Sequence, residues 1–223
     1  MIYPRFRTDY EGEFVVLGTV FRGGKKIQQR EYIENPIVNQ HISGRAVIIG
    51  AGPSARTDVV RTLPRHRGGL LGKKKLQTYG ADGVWRVMRL DFCVENDANE
   101  LRDMIDEKYT ENSVVYTRVK NCLAMPGEFF IIPYGVRLDP IAQATYLAAF
   151  DGHKEIFLVG IDGLKANQAP DPQRISDLNQ VFMAYSGVQF RLITDGARPH
   201  DIWLNNRNVE TWDYQKFISY CDV

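Results

Sequence analysis

Ala46-Val47-Ile48-Ile49-Gly50-Ala51-Gly52-Pro53-Ser54 places four small or branched apolar residues directly before a turn made of two glycines, a proline and a serine. A short unbroken apolar run bounded by turn residues is the pattern of a strand buried on both faces, as in a parallel sheet. The residues after the turn, with Val59, Val60 and Leu63 leading to Pro64, read as a helix. A strand, a glycine turn and a helix form the opening unit of a nucleotide-binding α/β domain, because the helix N-terminus offers free N–H groups and a partial positive charge to a phosphate.

Working outward, the same alternation continues. Residues 84–94 read as a strand ending near Asp91, and Asp97 with Glu100 opens a helix whose buried face carries Leu101, Met104 and Ile105. Residues 113–119 and 129–132 read as two further strands. Asp139-Pro140 and Asp171-Pro172 are each an N-cap followed by proline at the first helical position, and Gly152 and Gly187 close the two helices. Strands at 155–160 and 188–193 follow them. Strands alternating with capped helices imply right-handed βαβ units. On the N-terminal side, residues 13–21 and 25–33 around Gly23-Gly24 read as a β-hairpin stopped by Asn35-Pro36. The expected fold is α/β and Rossmann-like, a mostly parallel sheet with helices on both faces. It divides into a hairpin extension over residues 1–45, an oligomer contact or a cover for the site, and a nucleotide(-sugar)-binding domain over 46–223.

Composition narrows the function classes. The 223 residues are 44% hydrophobic and 25% charged, a globular balance. No apolar run approaches the roughly 20 residues that cross a bilayer, and the first residues lack the apolar stretch of a signal peptide. Cys93, Cys122 and Cys221 show no metal-type spacing and read as buried, idle thiols. The expectation is a cytoplasmic protein with no membrane partner. Net charge is +1, yet no acid lies between Asp58 and Asp82, where Arg61, Arg65, Arg67, Lys73, Lys74 and Lys75 are interleaved with glycines. Such a run is either a solvated face or a loop that meets phosphates, including those of DNA.

Three groups of residues carry candidate chemistry. Gly50, Gly52, Pro53 and Ser54 form the turn expected to hold a nucleotide phosphate; a third fingerprint glycine is missing, and Pro53 and Thr57 disfavour NAD. Asp91, Asp139 and Asp162 are expected at strand C-termini, the edge where open α/β sheets bind ligands, although Asp139 also reads as a plain helix cap. His200, beside Arg198 and Asp201, reads as a general base held by a carboxylate or as a surface histidine. Trp203, Trp212, Tyr214 and Phe217 read as core staples. No D-x-D motif or zinc spacing appears, so no metal site is assigned.

Two stretches together resemble a known superfamily. Residues 46–54 are similar to the opening "IIxGxGPS" element of the family 42 sialyltransferases and the related MptE-like proteins. The helix and strand from Asp139 through Lys154-Glu155-Ile156-Phe157-Leu158-Val159-Gly160-Ile161-Asp162 resemble their later "ALGYKEIYLxGID" element. The resemblance spans roughly residues 46–195 and implies that Gly50, Gly52, Pro53, Ser54, Asp91 and Asp162 hold a nucleotide, with Asp91 standing where the sialyltransferases bring an asparagine. Residues 163–190 contain only Tyr185 and no histidine, so the sialyltransferases' catalytic histidine and paired tyrosines have no counterpart, and the implied donor is not a CMP-sialic acid. The aromatic-rich style of the chain also resembles proteins of T-even-type bacteriophages, which glycosylate hydroxymethylcytosine in their own DNA; the compartment would then be the host cytoplasm.

The expected activity is therefore sugar transfer from a nucleotide-sugar to a hydroxyl, with hydroxymethylcytosine in DNA as acceptor. Asp162, Asp91 or His200 would take the acceptor proton, while the amides of Gly52 to Ser54 and the basic run stabilise the leaving diphosphate. Two alternatives stand beside it: an MptE-like pyrophosphokinase or phosphotransferase, which would need Mg2+, and a non-enzymatic nucleotide- or DNA-binding protein.

Overall fold

A computed structural model describes residues 2–8, 10–35, 44–55, 57–61, 63, 76–162, 170–196 and 198–221. The hairpin strands are β1 (Gly12–Arg22) and β2 (Lys25–Glu34), and the sheet strands follow as β3 (Arg45–Ile49), β4 (Gln77–Gly80), β5 (Phe92–Val94), β6 (Val114–Thr117), β7 (Phe130–Ile131), β8 (Glu155–Val159), β9 (Gln189–Thr194) and β10 (Val209–Asp213). The helices are α1 (Thr57–Val60), α2 (Ala98–Asp106), α3 (Val119–Ala124), α4 (Pro140–Phe150), α5 (Pro172–Ala184), α6 (Asp201–Leu204) and α7 (Tyr214–Cys221).

Strands β3 to β10 form one sheet in the order β10-β9-β8-β3-β4-β5-β6-β7, and every pairing is parallel. The chain starts at β3, moves strand by strand to the β7 edge, then returns through α4 to lay β8 on the other side of β3. The order therefore reverses between β3 and β8. This is the Rossmann-like α/β architecture expected from the apolar run at 46–49.

Alternation along the central strands divides the core into two layers. Ala46, Ile48, Ile156 and Leu158 face a layer filled by α4, by Leu178, Val181 and Phe182 of α5, and by Trp203. Val47, Ile49, Phe157 and Val159 face a second, filled from α1, α2, α3 and α7 by Val59, Leu101, Met104, Cys122 and Phe217. Helices thus cover both faces of the sheet. Ile141 to Phe150 of α4 are all buried, more than the single inward stripe expected, because that stretch has no charged residue to present to water. Trp203, Trp212, Tyr214 and Phe217 are core residues, as read from the sequence, and the three cysteines are buried free thiols. Burial pushes the thiols of Cys122 and Cys221 up, to about 11 and about 12.

Three local expectations are corrected. Residues 84–94 are not one strand: Val84–Arg86 is a short 3₁₀ turn, and only Phe92–Val94 pairs. The strand before it, β4, was unread because Gln77-Thr78-Tyr79-Gly80 lacks an apolar run. Residues 113–119 contain β6 and the start of α3, and β10 with α7 adds an element pair at the C-terminus. Among the described residues no helix is long and apolar enough to cross a membrane.

The hairpin forms as its turn residues require, with φ of +58° at Gly23 and +74° at Gly24, both positive as a type I′ turn needs. Among the described residues, it is its base that rests on the main body. Val15 is buried there and Ile33 packs beside it. Asn35 Nδ2 donates to the Ile131 carbonyl of edge strand β7 at 2.7 Å.

Candidate functional site

The C-terminal ends of β3 and β8 lie side by side, and their loops press together. Gly50 N–H donates to the Val159 carbonyl and Gly52 N–H to the Gly160 carbonyl, each at 2.9 Å. The contact needs glycine on both sides. A Cβ at Gly52 would sit 2.7 Å from the Gly160 carbonyl oxygen and closer still to Asp162 Oδ1; Gly160, at φ +65°, would place a Cβ 2.6 Å from that of Ala55. These glycines serve loop-to-loop packing.

Asp162 completes the contact. Its carboxylate accepts the Ser54 N–H at 3.1 Å and the Ser54 hydroxyl, while Tyr214 of α7 donates to the Ser54 carbonyl at 2.6 Å. The carboxylate has taken the place that an anion was expected to fill. The expectation that amides from Gly52 to Ser54 stabilise a diphosphate is therefore corrected: Gly52 and Ser54 have committed their N–H groups to the protein, and Pro53 has none.

What the turn does provide is shape. A cavity of about 370 Å³ opens beside it, lined by Ile49, Gly50, Ala51, Pro53, Val60 and Val84, among others. Its floor is the end of β3, and its far wall is the 3₁₀ turn after β4. The volume is at the lower end of small-ligand sites, and the branched apolar walls suit one face of a flat ring.

Next to this cavity stands a buried charge network that sequence reading missed. Arg174 of α5 donates through Nε to Asp139 Oδ1 at 3.0 Å and through a terminal nitrogen to Asp82 Oδ2 at 2.7 Å. Asp82 precedes Gly83, which lines the cavity. Asp139 caps α4 by accepting the Ile141 N–H at 3.0 Å, and its own N–H donates to Asp177. Burial raises the Asp82 carboxyl above its ordinary value, with Arg174 opposing and Asp139 adding to the rise. A signal existed: Arg174 and Asp177 fall on the same helical stripe as Leu178 and Val181, where an exposed charge would not be placed.

The remaining candidates scatter. Asp91 precedes β5 and lies at the end where strands enter, level with Thr78. It accepts from the Thr78 N–H and hydroxyl at 2.9 and 3.0 Å, and its own N–H donates back to that hydroxyl. Its expected place at the C-terminal edge is corrected, because the strand begins where it was read as ending. His200 is exposed and caps α6, Nδ1 accepting the Ile202 N–H at 3.3 Å, while Asp201 pairs with Arg198 at 2.7 Å. The carboxylate expected to hold the imidazole holds an arginine instead. Of the basic run, Arg61 is exposed; Arg65, Arg67, Lys73, Lys74 and Lys75 lie outside the described residues. Among the described residues no group of three or more His, Cys, Asp or Glu is placed to hold a metal ion.

The fold is similar to that of several solved sialyltransferases from Campylobacter jejuni. CstII in complex with the substrate analogue CMP-3FNeuAc is 14% identical at a TM-score of 0.46, over 75% of this chain and 84% of that one. An α-2,3-sialyltransferase in apo form is 13% identical at 0.46, over 74% and 80%. The monofunctional α-2,3-sialyltransferase Cst-I is 12% identical at 0.49, over 74% and 81%. Overlaps this slight do not carry an activity across. No family model matches the chain, and no curated protein matches it either.

Proposed function

We propose that this chain is a glycosyltransferase that receives a nucleotide-sugar in the cavity beside the Gly50–Ser54 turn and transfers its sugar to a hydroxyl acceptor. The observation that carries the reading is the position of that cavity. It opens at the C-terminal edge of an all-parallel sheet, beside the strand pair where the order reverses, which is where open α/β sheets take ligands. The apolar walls take the base. The loop contact between Gly52 and Asp162 sets the shape of the cavity's mouth. With the turn's amides committed, the counter-charge for the donor phosphates is assigned to the cationic run that begins at Arg61.

Asp162 is the carboxylate we assign to the acceptor proton. Among the described residues its partners are the neutral amide and hydroxyl of Ser54, whereas Asp139 is spent on Arg174 and a helix cap. His200 remains a second candidate through Nε2. The acceptor we favour is hydroxymethylcytosine in DNA, since six cations and no acid between Asp58 and Asp82 suit a polyanion. Reaching such a hydroxyl calls for extrusion of the base from the stack.

Thermal shifts against UDP, GDP, CMP, ADP, their sugars and NAD, with and without Mg2+, test the reading, because a ligand of the folded state raises its melting temperature. One nucleotide and its sugar are expected to shift it. In an Ala51→Trp variant, which fills the cavity from an exposed position, the shift should vanish while the unliganded melting temperature stays put. A flat panel, or a shift unchanged in that variant, overturns the site. Asp162→Asn is expected to keep donor binding and lose transfer to hydroxymethylated DNA.

A further inference from the structure

The far wall of the cavity begins at two consecutive residues with left-handed backbone, Asp82 at φ +59° and Gly83 at φ +74°. Glycine takes that conformation freely, whereas aspartate tolerates it only better than most residues do. A non-glycine residue stays there where its surroundings over-determine it, and such outliers gather at ligand sites. Backbone bonds fix the root of the wall: the Ala81 N–H donates to the Ile49 carbonyl and the Val84 N–H to the Ala81 carbonyl, each at 3.3 Å. Past Asp82, the residues Gly83, Val84 and Val87 line the cavity.

One side chain fixes the turn itself. Among the described residues, the partner of the Asp82 carboxylate is Arg174, at 2.7 Å. Arg174 is gripped in turn by Asp139, through Nε at 3.0 Å and a terminal nitrogen at 3.3 Å. Asp139 is locked to α4 by the Ile141 N–H and to α5 by Asp177, which accepts its N–H at 2.7 Å. The anchor of the wall thus spans two helices that pack in one layer of the core. Only a planar, forked cation bridges two carboxylates in this way. The Arg174 and Asp82 side chains are 8% and 13% exposed, so water competes little for the bond between them.

We infer that Arg174 is a positioning residue of the donor site: through Asp82 it latches the turn at Asp82–Gly83 and so holds the wall from Gly83 to Val87 at the spacing a nucleobase needs. The inference rests on the reading of that cavity as the donor site. A ligand that binds the latched wall is weakened by the fraction of molecules in which the latch is open.

Trp85 sits in the 3₁₀ turn of the wall, its Nε1–H donating to Glu100 at 3.0 Å, and reports the wall's position. The test is fluorine NMR of the full chain carrying 5-fluorotryptophan. The Trp85 signal is identified by its loss in Trp85→Phe, and Trp212 of the edge strand β10 serves as internal standard. Asp82→Asn keeps the tolerance for left-handed backbone and an oxygen for Arg174; Asp82→Gly keeps only the first; Asp82→Ala keeps neither. The Trp85 signal of the unliganded protein should shift or broaden in Asp82→Gly and Asp82→Ala, with Trp212 unmoved. Affinity for whichever of UDP, GDP, CMP and ADP the wild type binds should fall least in Asp82→Asn, further in Asp82→Gly and furthest in Asp82→Ala, there by more than about tenfold.

An ion pair that served stability alone would lower the melting temperature of the variants and leave the Trp85 signal and the affinity, measured well below melting, unchanged. That result overturns the inference, as does an Asp82→Asn variant as impaired as Asp82→Ala. The unliganded spectra decide the latch with no nucleotide present. A wild type that binds none of the four nucleotides therefore overturns the reading of the cavity and the positioning role with it, whatever the Trp85 signal does.

Discussion

Two largely buried arginines stand at opposite ends of the same parallel sheet, Arg7 on one carboxylate and Arg174 between two, and they serve different ends. Arg7 pairs with Asp151 and donates to Asn35 Oδ1 at 3.2 Å and to the Tyr116 hydroxyl at 3.0 Å; the Tyr79 hydroxyl donates to Asp151 at 2.7 Å and touches His153 Nε2 at 3.2 Å. The carboxylate there is sealed: the Asp151 side chain has no exposed surface. That network straps the N-terminal segment to the body, and His153 is buried within it. Arg174 is slightly more buried than Arg7, but its partner Asp82 adjoins a cavity-lining glycine. The same pair of residue types is a strap at one end and the frame of a candidate site at the other; the difference lies in whether open space adjoins it.

That contrast can be broken experimentally. The largest effect is expected for Asp151→Ala, which leaves Arg7 buried without its carboxylate and should cost about 3–5 kcal/mol in denaturant unfolding. Nucleotide-induced stabilisation of the fraction that still folds should be unaffected. Arg174→Met should cost about 3 kcal/mol at neutral pH and, unlike the first, also lower nucleotide affinity.

The pH dependence of Arg174→Met sharpens the comparison. Without the guanidinium, burial and Asp139 raise the Asp82 carboxyl further above 3.8. A group whose folded-state value is raised binds its proton more tightly in the folded state. Its contribution is present below the ordinary value and is lost as pH rises through the raised one. The deficit of the variant should therefore be greatest at neutral pH and shrink on acidification. A pH-independent deficit would show that Asp82 is not the group exposed to the loss.

Gly52→Ala tests the contact between the loops and should cost about 1–3 kcal/mol from overpacking. It should abolish nucleotide binding, since Asp162 and the Gly160 carbonyl must move. Arg198→Ala, which removes the exposed pair with Asp201, should change stability by less than about 0.5 kcal/mol. A larger loss would give that surface pair the standing of the two buried ones.

Much of this was legible along the chain because it depends on neighbours in sequence. The apolar run at 46–49, the Asp-Pro caps at 139–140 and 171–172 and the Gly23-Gly24 turn are local devices, and each forms the element its residues specify. Strand β4 was illegible because Gln77 and Thr78 owe their burial to neighbours that pairing brings in. Asp91 was misplaced for the same reason, its strand having been read one segment too early.

The amino-acid sequence by itself determined the layers, the strand–turn–helix opening and the positions of the glycines, all of which follow from φ/ψ preferences and hydrophobic period. Only the tertiary structure decided what those glycines and acids face. Gly52 meets Asp162 across 110 residues of chain, and Arg174 meets Asp82 across 92. A carboxylate that fills an anion's place at the turn, and an arginine that frames a cavity, are products of strand order, and strand order is fixed by which buried surfaces fit together.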